Sequence, residues 1–216
     1  VEGSFIPMTT DSTPIKEVTR GEFGLPEDAF VMATFGNVYK ITQEMFETWL
    51  VILEKIPNAI LWLIDDNPVT TKNLRDFASL KNADTSRIVF SPRAAYQEYK
   101  AKLKLANVFL DTYPYNCGST SSDVINAGIP LLTLYGKSMV SRMGKSISEA
   151  IGNKKYTCSS AKEYITRCIS ISNSSFKPLK RRKIKTLKFD DLLITASKKI
   201  NDSITFDTAI IHTSEN

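Results

Sequence analysis

The sequence predicts an α/β protein, a Rossmann-like parallel sheet flanked by helices. Two observations carry this. Short apolar runs alternate with stretches of helical periodicity from Phe30 onward. Gly, Pro and Asn punctuate the alternation at the spacing of βαβ units.

The first strand reads from Phe30 to Phe35, a continuous apolar run suited to burial on both faces, and Gly36-Asn37 turns the chain after it. Thr42 suits an N-cap, and Glu44 lies in the first turn, where a carboxylate meets the positive end of the helix dipole. Met45, Phe46, Trp49, Leu50, Leu53 and Ile56 recur at helical spacing until Pro57-Asn58 stops them. Ala59 to Ile64 is the second strand. A polar helix follows over 70–82, then a third strand from Arg87 to Phe90, broken by Pro92. A helix over 96–106 precedes the fourth strand, Val108 to Leu110. A loop rich in Tyr, Pro, Asn, Gly and Ser leads to a helix near 120–127, which Gly128-Ile129-Pro130 ends. Leu131 to Leu134 is the fifth strand, with helices over 138–151 and 160–171. The stretch 177–201 reads as mostly helical. The chain thus divides into a linker or leader over 1–22, a Rossmann-like domain over 23–175 and a basic helical extension over 176–216.

The 216 residues are 42% hydrophobic and 24% charged, which excludes a disordered chain, a collagen-like fibre and a small disulfide scaffold. Ala59 to Ile64 is among the longest apolar runs, far short of the ~18 residues of a membrane helix. Val1 to Val18 shows no basic segment followed by an apolar core, so no signal peptide is read there. The three cysteines, Cys117, Cys158 and Cys168, form no Cys-x-x-Cys pair, and His212 is the single histidine. These argue against a disulfide framework or zinc site and for a reducing, cytoplasmic setting. Of the net charge of +5, residues 177–216 carry +4. The cluster Lys177, Lys180, Arg181, Arg182, Lys183, Lys185 and Lys188 is either a patch for an anionic partner or a solvated helix face. It lacks the aromatic interleaving of a single-strand binder, which argues against a nucleic-acid partner.

Right-handed crossovers place ligands at the carboxyl ends of the strands. Three loops there carry chemistry. In Phe35-Gly36-Asn37-Val38-Tyr39-Lys40, Lys40 and Asn37 can serve a phosphate, or be ordinary surface. After Ser91-Pro92-Arg93-Ala94, Tyr99 can stack on a base, or Tyr96 and Tyr99 simply pack a helix on the sheet. In the segment from Asp111 to Asp123, Gly118-Ser119-Thr120 opens a helix whose free N–H groups and dipole suit an anion. Thr120-x-x-Asp123 also resembles a capping box, which would leave Asp123 a purely structural role. P-loop, dinucleotide-binding and nucleophile-elbow patterns are absent.

Taken together, Phe35-Gly36-Asn37-Val38-Tyr39-Lys40-Ile41, Trp49, Ile56-Pro57-Asn58-Ala59-Ile60-Leu61-Trp62-Leu63 and Arg87-Ile88-Val89-Phe90-Ser91-Pro92 resemble the O-GlcNAc transferase/SPINDLY family of glycosyltransferases. The match continues through Leu105 to Thr112, Asp123-Val124, Ala127-Gly128-Ile129-Pro130 and Ser141-Arg142-Met143. A fainter echo is Phe206-Asp207-Thr208.

The resemblance implies a GT-B architecture, with this chain its C-terminal, nucleotide-sugar-binding half. It implies an inverting glycosyltransferase that moves a sugar from a nucleoside-diphosphate sugar to protein Ser or Thr. It also implies that no metal is required, and that an N-terminal catalytic half and TPR repeats are partners. By position, Asn37 and Lys40 would face the donor diphosphate, with Lys40 the catalytic cation. Ala94 would offer backbone to the base, beside Tyr99 and Lys102. Gly118, Ser119 and Thr120 would hold phosphate, and Asp123 the ribose hydroxyls. O-GlcNAc transferases carry Gln, Lys, His, Arg and His where this chain has Asn37, Tyr96, Tyr99, Lys102 and Gly118. A UDP-GlcNAc-like donor and a GDP-sugar therefore both stay open. The alternative is a non-catalytic interaction domain that kept the fold and lost the donor chemistry.

Overall fold

A computed structural model describes residues 17–174. Residues 1–16 of the expected leader, the helix over 177–201, Phe206-Asp207-Thr208 and His212 lie outside the described residues.

Six parallel strands form the sheet in the order β3-β2-β1-β4-β5-β6. They are β1 (Phe30–Thr34), β2 (Ala59–Asp65), β3 (Ile88–Pro92), β4 (Val108–Leu110), β5 (Leu131–Leu134) and β6 (Thr157–Cys158). Helices α1 (Gln43–Lys55), α2 (Pro68–Leu80), α3 (Tyr96–Leu103), α4 (Ser119–Ala127), α5 (Met143–Ala150) and α6 (Ala161–Ser172) alternate with them. Successive strand residues point to opposite faces, so each central strand feeds two cores. Phe30 and Met32 of β1, with Ala59, Leu61 and Leu63 of β2, join Trp49 of α1 and Tyr164 and Cys168 of α6. Val31 and Ala33, with Ile60, Trp62 and Ile64, join Leu103 of α3 and Val124 of α4. Burial on both faces is why these strands read as unbroken apolar runs.

Side chains cap the starts of α1, α2 and α6, whereas α3, α4 and α5 have no side-chain cap. The Thr42 hydroxyl accepts from Met45 N–H at 3.2 Å, capping α1 as expected. At the other end Arg87 donates to the carbonyls of Leu53 (2.8 Å), Ile56 (3.1 Å) and Pro57 (3.2 Å). Arg87 therefore ends a 3₁₀ turn, Thr85–Arg87, rather than starting β3, and its guanidinium closes α1. Pro92 does not break β3 but is its last residue, tolerated because β3 is an edge strand. α2 starts at Pro68, two residues early, because the Asn67 side chain caps Val69 N–H at 2.8 Å and Pro suits the first helical position. α3 ends at Leu103 instead of 106, where tighter turns take over, such as Leu105 N–H to Lys102 O at 3.0 Å. α5 starts at Met143 rather than 138, because Ser138 holds a turn by accepting from Ser141 N–H at 3.3 Å. β6, two residues long, is too short to show a pattern.

Residues 17–29 dock on the sheet through Arg20, which donates to Ala29 O at 2.9 Å, Leu105 O at 3.0 Å and Asn107 Oδ1 at 2.9 Å. The chain moves outward one way from β1 to β3 and the other way from β4 to β6. The loops after β1 and β4 thus part at the switch point of the sheet, where an open α/β fold leaves a crevice.

Candidate functional site at the switch point

The loop after β4 is built on a buried carboxylate. Asp111 is fully buried, and its Oδ1 accepts from Thr112 N–H at 2.9 Å and Cys117 N–H at 2.7 Å. Its Oδ2 accepts from the Thr133 hydroxyl of β5 at 2.6 Å. Burial outweighs these hydrogen bonds and pushes the Asp111 carboxyl up to about 6. Gly144 of α5 closes against the same carboxylate, since a Cβ there would collide with Asp111 Oδ2 and Thr133 Oγ1. The buried Asn116 amide donates to Thr112 O at 2.7 Å and Leu134 O at 3.1 Å, and the Tyr113–Pro114 peptide is cis.

This frame sets the start of α4. Gly118 is the N-cap residue, Ser119 the first helical residue, and Ser121 N–H turns back to Gly118 O at 3.0 Å. The first-turn amides before it have no partner within this nine-residue helix and no side-chain cap, and the helix dipole makes this end favourable to negative charge. The capping-box expectation fails because Thr120 stands inside the helix, not at its cap. Asp123 instead accepts from the Tyr96 hydroxyl at 2.9 Å. Tyr99 lies stacked on Tyr96, with ring centroids 6.2 Å apart. Burial, then the negative charge of Asp123, hold the Tyr99 hydroxyl firmly protonated.

The loop after β1 leans onto the loop after β4. Lys40 Nζ donates to Asn116 O at 3.3 Å and sits 3.8 Å above the Tyr115 ring. Thr42 Oγ1 donates to Tyr113 O at 3.4 Å. Asn37 is exposed and accepts from Arg93 Nη2 at 2.7 Å. Arg93 also forks onto Asp66, Nε to Oδ1 and Nη2 to Oδ2 at 3.0 Å, and this hydrogen bonding holds the Asp66 carboxyl below its ordinary range.

Beside the loop after β3, between α3 and the start of α4, lies a cavity of about 220 Å³ lined by Phe35, Ile64, Arg93, Ala94, Tyr99, Lys102 and Thr120. Four residues singled out from the sequence, Ala94, Tyr99, Lys102 and Thr120, share it. Asn37, Lys40, Gly118, Ser119 and Asp123 do not line it. Asn37 joins it through Arg93, Asp123 through the tyrosines, and Lys40 stands across the switch point on the β4 loop. Lys102 is only 2% exposed, and its ammonium is held by Pro92 O at 2.9 Å and lies 4.9 Å from the Phe23 ring centroid. Burial lowers its proton affinity and nearby Glu98 opposes that.

The sequence reading gave no role to Arg93, Asp66 or Asp111. The signal for Asp111 was its place as a charged residue at the end of an apolar strand. Asp66 and Arg93, 27 positions apart, had no local signal. Among the described residues no three His, Cys, Asp or Glu side chains are grouped to hold a metal ion, and no helix is long and apolar enough to cross a membrane.

Comparison with known proteins places this geometry in context. The profile of glycosyl transferase family 41 matches residues 9–201. The SEC protein of Arabidopsis thaliana, named as a probable UDP-N-acetylglucosamine–peptide N-acetylglucosaminyltransferase, is 32% identical over 160 residues, covering 74% of this chain and 16% of that protein. The Caenorhabditis elegans protein of the same enzyme name is 32% identical over 157 residues, covering 73% of this chain and 14% of its own length. The chain thus spans about a sixth of the curated relatives it matches. An O-GlcNAc transferase from Thermobaculum terrenum superposes with a TM-score of 0.66 at 24% identity, covering 80% of this chain and 32% of that one. A UDP-GlcNAc 2-epimerase from Neisseria meningitidis, bound to UDP-GlcNAc, gives 0.53 at 13% identity, covering 83% of this chain and 47% of that one. The likeness to the Thermobaculum enzyme is one of fold, the Rossmann-like half of a GT-B glycosyltransferase.

Proposed function

We propose that this chain, which belongs to glycosyl transferase family 41, is the donor-binding half of an inverting transferase that moves a GlcNAc-like sugar from a nucleoside-diphosphate sugar to protein Ser or Thr. The observation that carries the reading is the meeting of a lysine, a helix N-terminus and a base-sized cavity at the switch point. The diphosphate would sit between Lys40 and the first turn of α4. The base would enter beside Tyr99 and the Ala94 backbone, and the ribose hydroxyls would bond Asp123.

The chemistry follows from charge. Transfer breaks the bond between the anomeric carbon and the diphosphate, and negative charge grows on the leaving oxygen. Lys40 and the α4 amides would be fixed donors aimed at that charge, which lowers the barrier without reorganisation. Donors of this type are worth roughly 2.7–4 kcal/mol each in other enzymes. The acceptor hydroxyl and any general base would come from a preceding catalytic half, with TPR repeats ahead of it. Residues 1–22 would then be the leader from that half, 23–175 the donor domain and 176–216 a basic extension.

Calorimetric titration with UDP, GDP, UMP and uridine tests the reading. Selective diphosphate binding is expected, and the favoured base names the donor class. Equal affinity for uridine and UDP would remove the diphosphate site. One observation favours the second reading, a domain without donor chemistry: the Tyr96 hydroxyl already holds the Asp123 carboxylate at 2.9 Å.

A further inference from the structure

The inference concerns Arg93 and rests on the donor-binding reading above. A side-chain amide has two different ends. Its oxygen accepts and its nitrogen donates. An ionised diphosphate offers acceptors only, so Asn37 serves it only when Nδ2 faces the ligand. Nothing in the covalent structure of Asn favours that orientation over its reverse.

Arg93 supplies the bias. A guanidinium donates and never accepts, so the atom of Asn37 that meets it must be the oxygen. Arg93 Nη2 is 2.7 Å from Asn37 Oδ1. The guanidinium is itself fixed, because Asp66 takes both Nε and Nη2 in a fork that fits one orientation. With Oδ1 committed, Nδ2 has a long contact to the Tyr39 hydroxyl at 3.4 Å, which a phosphate oxygen can replace. We propose that Arg93, anchored on Asp66, is a positioning residue that locks the Asn37 amide with Nδ2 presented to the donor diphosphate.

Arg93 is half exposed, with 50% of its side chain in contact with solvent, so its replacement leaves the fold intact. The test is a double-mutant cycle on the full chain, titrated with UDP and uridine and, in parallel, GDP and guanosine. Arg93→Ala is expected to lower the diphosphate-over-nucleoside preference roughly tenfold, the size of one hydrogen bond to a charged group. In an Asn37→Ala background the same change is expected to do nothing further. Asn37→Asp, which still accepts from Arg93 but has no hydrogen to donate, is expected to lose the preference at least as fully. The Asn37 side-chain NH₂ resonances are expected to move on UDP addition in the native chain and not in Arg93→Ala.

Equal losses from Arg93→Ala with and without Asn37 would overturn the proposal, since Arg93 would then contact phosphate itself. So would a native chain that prefers UDP while Arg93→Ala keeps that preference. A native chain with no preference for diphosphate over nucleoside would instead remove the donor-binding reading, and the role of Arg93 with it.

Discussion

The two loops that meet at the switch point solve one problem by different physics. On the proposed function, each would aim donors at the same diphosphate. The loop after β4 is held from beneath by Asp111, a carboxylate sealed from water that ties Thr112, Cys117 and Thr133 together. The loop after β1 is held from the side by Arg93 and Asp66, an ion pair in contact with solvent. Inside the protein an unmade hydrogen bond carries the full cost of desolvation, whereas at the surface water replaces the partner. Positioning and stability are therefore one property in the β4 loop and separable properties in the β1 loop.

The largest effect that tests this contrast is Asp111→Ala. It leaves two buried N–H groups and a hydroxyl without their acceptor, and the expected loss is about 3–5 kcal/mol of unfolding free energy, read by urea denaturation. A loss below ~1 kcal/mol would mean that the loop is held by something else.

A second effect uses pH. Burial pushes the Asp111 carboxyl from its ordinary value of 3.8, the value expected in the unfolded chain, up to about 6 in the folded one. Between those values the folded state keeps a proton that the unfolded state has released, so the contribution of Asp111 to stability falls as pH rises. It is fully present below about 3.8 and gone above about 6. Relative to Asp111→Asn, which has no proton to lose, the native chain is expected to weaken by on the order of 2–3 kcal/mol across that window. Parallel urea midpoints for the two proteins from pH 4 to 7 would contradict this.

Lys40→Ala is next in size. It should cost roughly tenfold to a hundredfold in UDP affinity and little for uridine, because on the proposed reading only the diphosphate would meet the ammonium. Calorimetry with the two ligands separates the cases, and equal losses would reduce Lys40 to a surface lysine resting on Tyr115. The smallest effect is at Tyr96. Tyr96→Phe removes one hydrogen bond that competes for the Asp123 carboxylate and is expected to strengthen UDP binding a few-fold, with a stability change of about 1 kcal/mol or less. Weaker binding would mean that the Tyr96 hydroxyl itself serves the ligand.

How much of this was legible in the sequence follows the same contrast. Residues whose role is set by near neighbours announced themselves. Thr42 capped the helix it preceded, Gly128, with φ 80°, ended α4, and the apolar runs became the strands. Lys40 could be named because it stands between β1 and α1, and Thr120 and Asp123 because they stand in the first turns of the helix that follows β4. Roles set by distant partners were silent. Arg87 looked like the head of a strand until Leu53, Ile56 and Pro57 came within its reach. The place of Asp111 after an apolar strand was a local signal, but its weight comes from distant partners, Thr133 of β5, Gly144 of α5 and Tyr164 of α6. The pairing of Asp66 with Arg93 exists only because β2 and β3 end side by side.

The reversal of strand order at β1 also sets a sequence of events. A chain made from its amino end can pair β1 with β2 once residue 65 is available, and β3 soon after. The opposite edge of β1, with its backbone N–H and C=O groups unpaired, waits for Val108. During that interval it is an open template for any passing strand. The arrival of β4 closes that edge and brings Asn116 up to Lys40. The crevice and the protection of the nascent sheet therefore come into being in a single step.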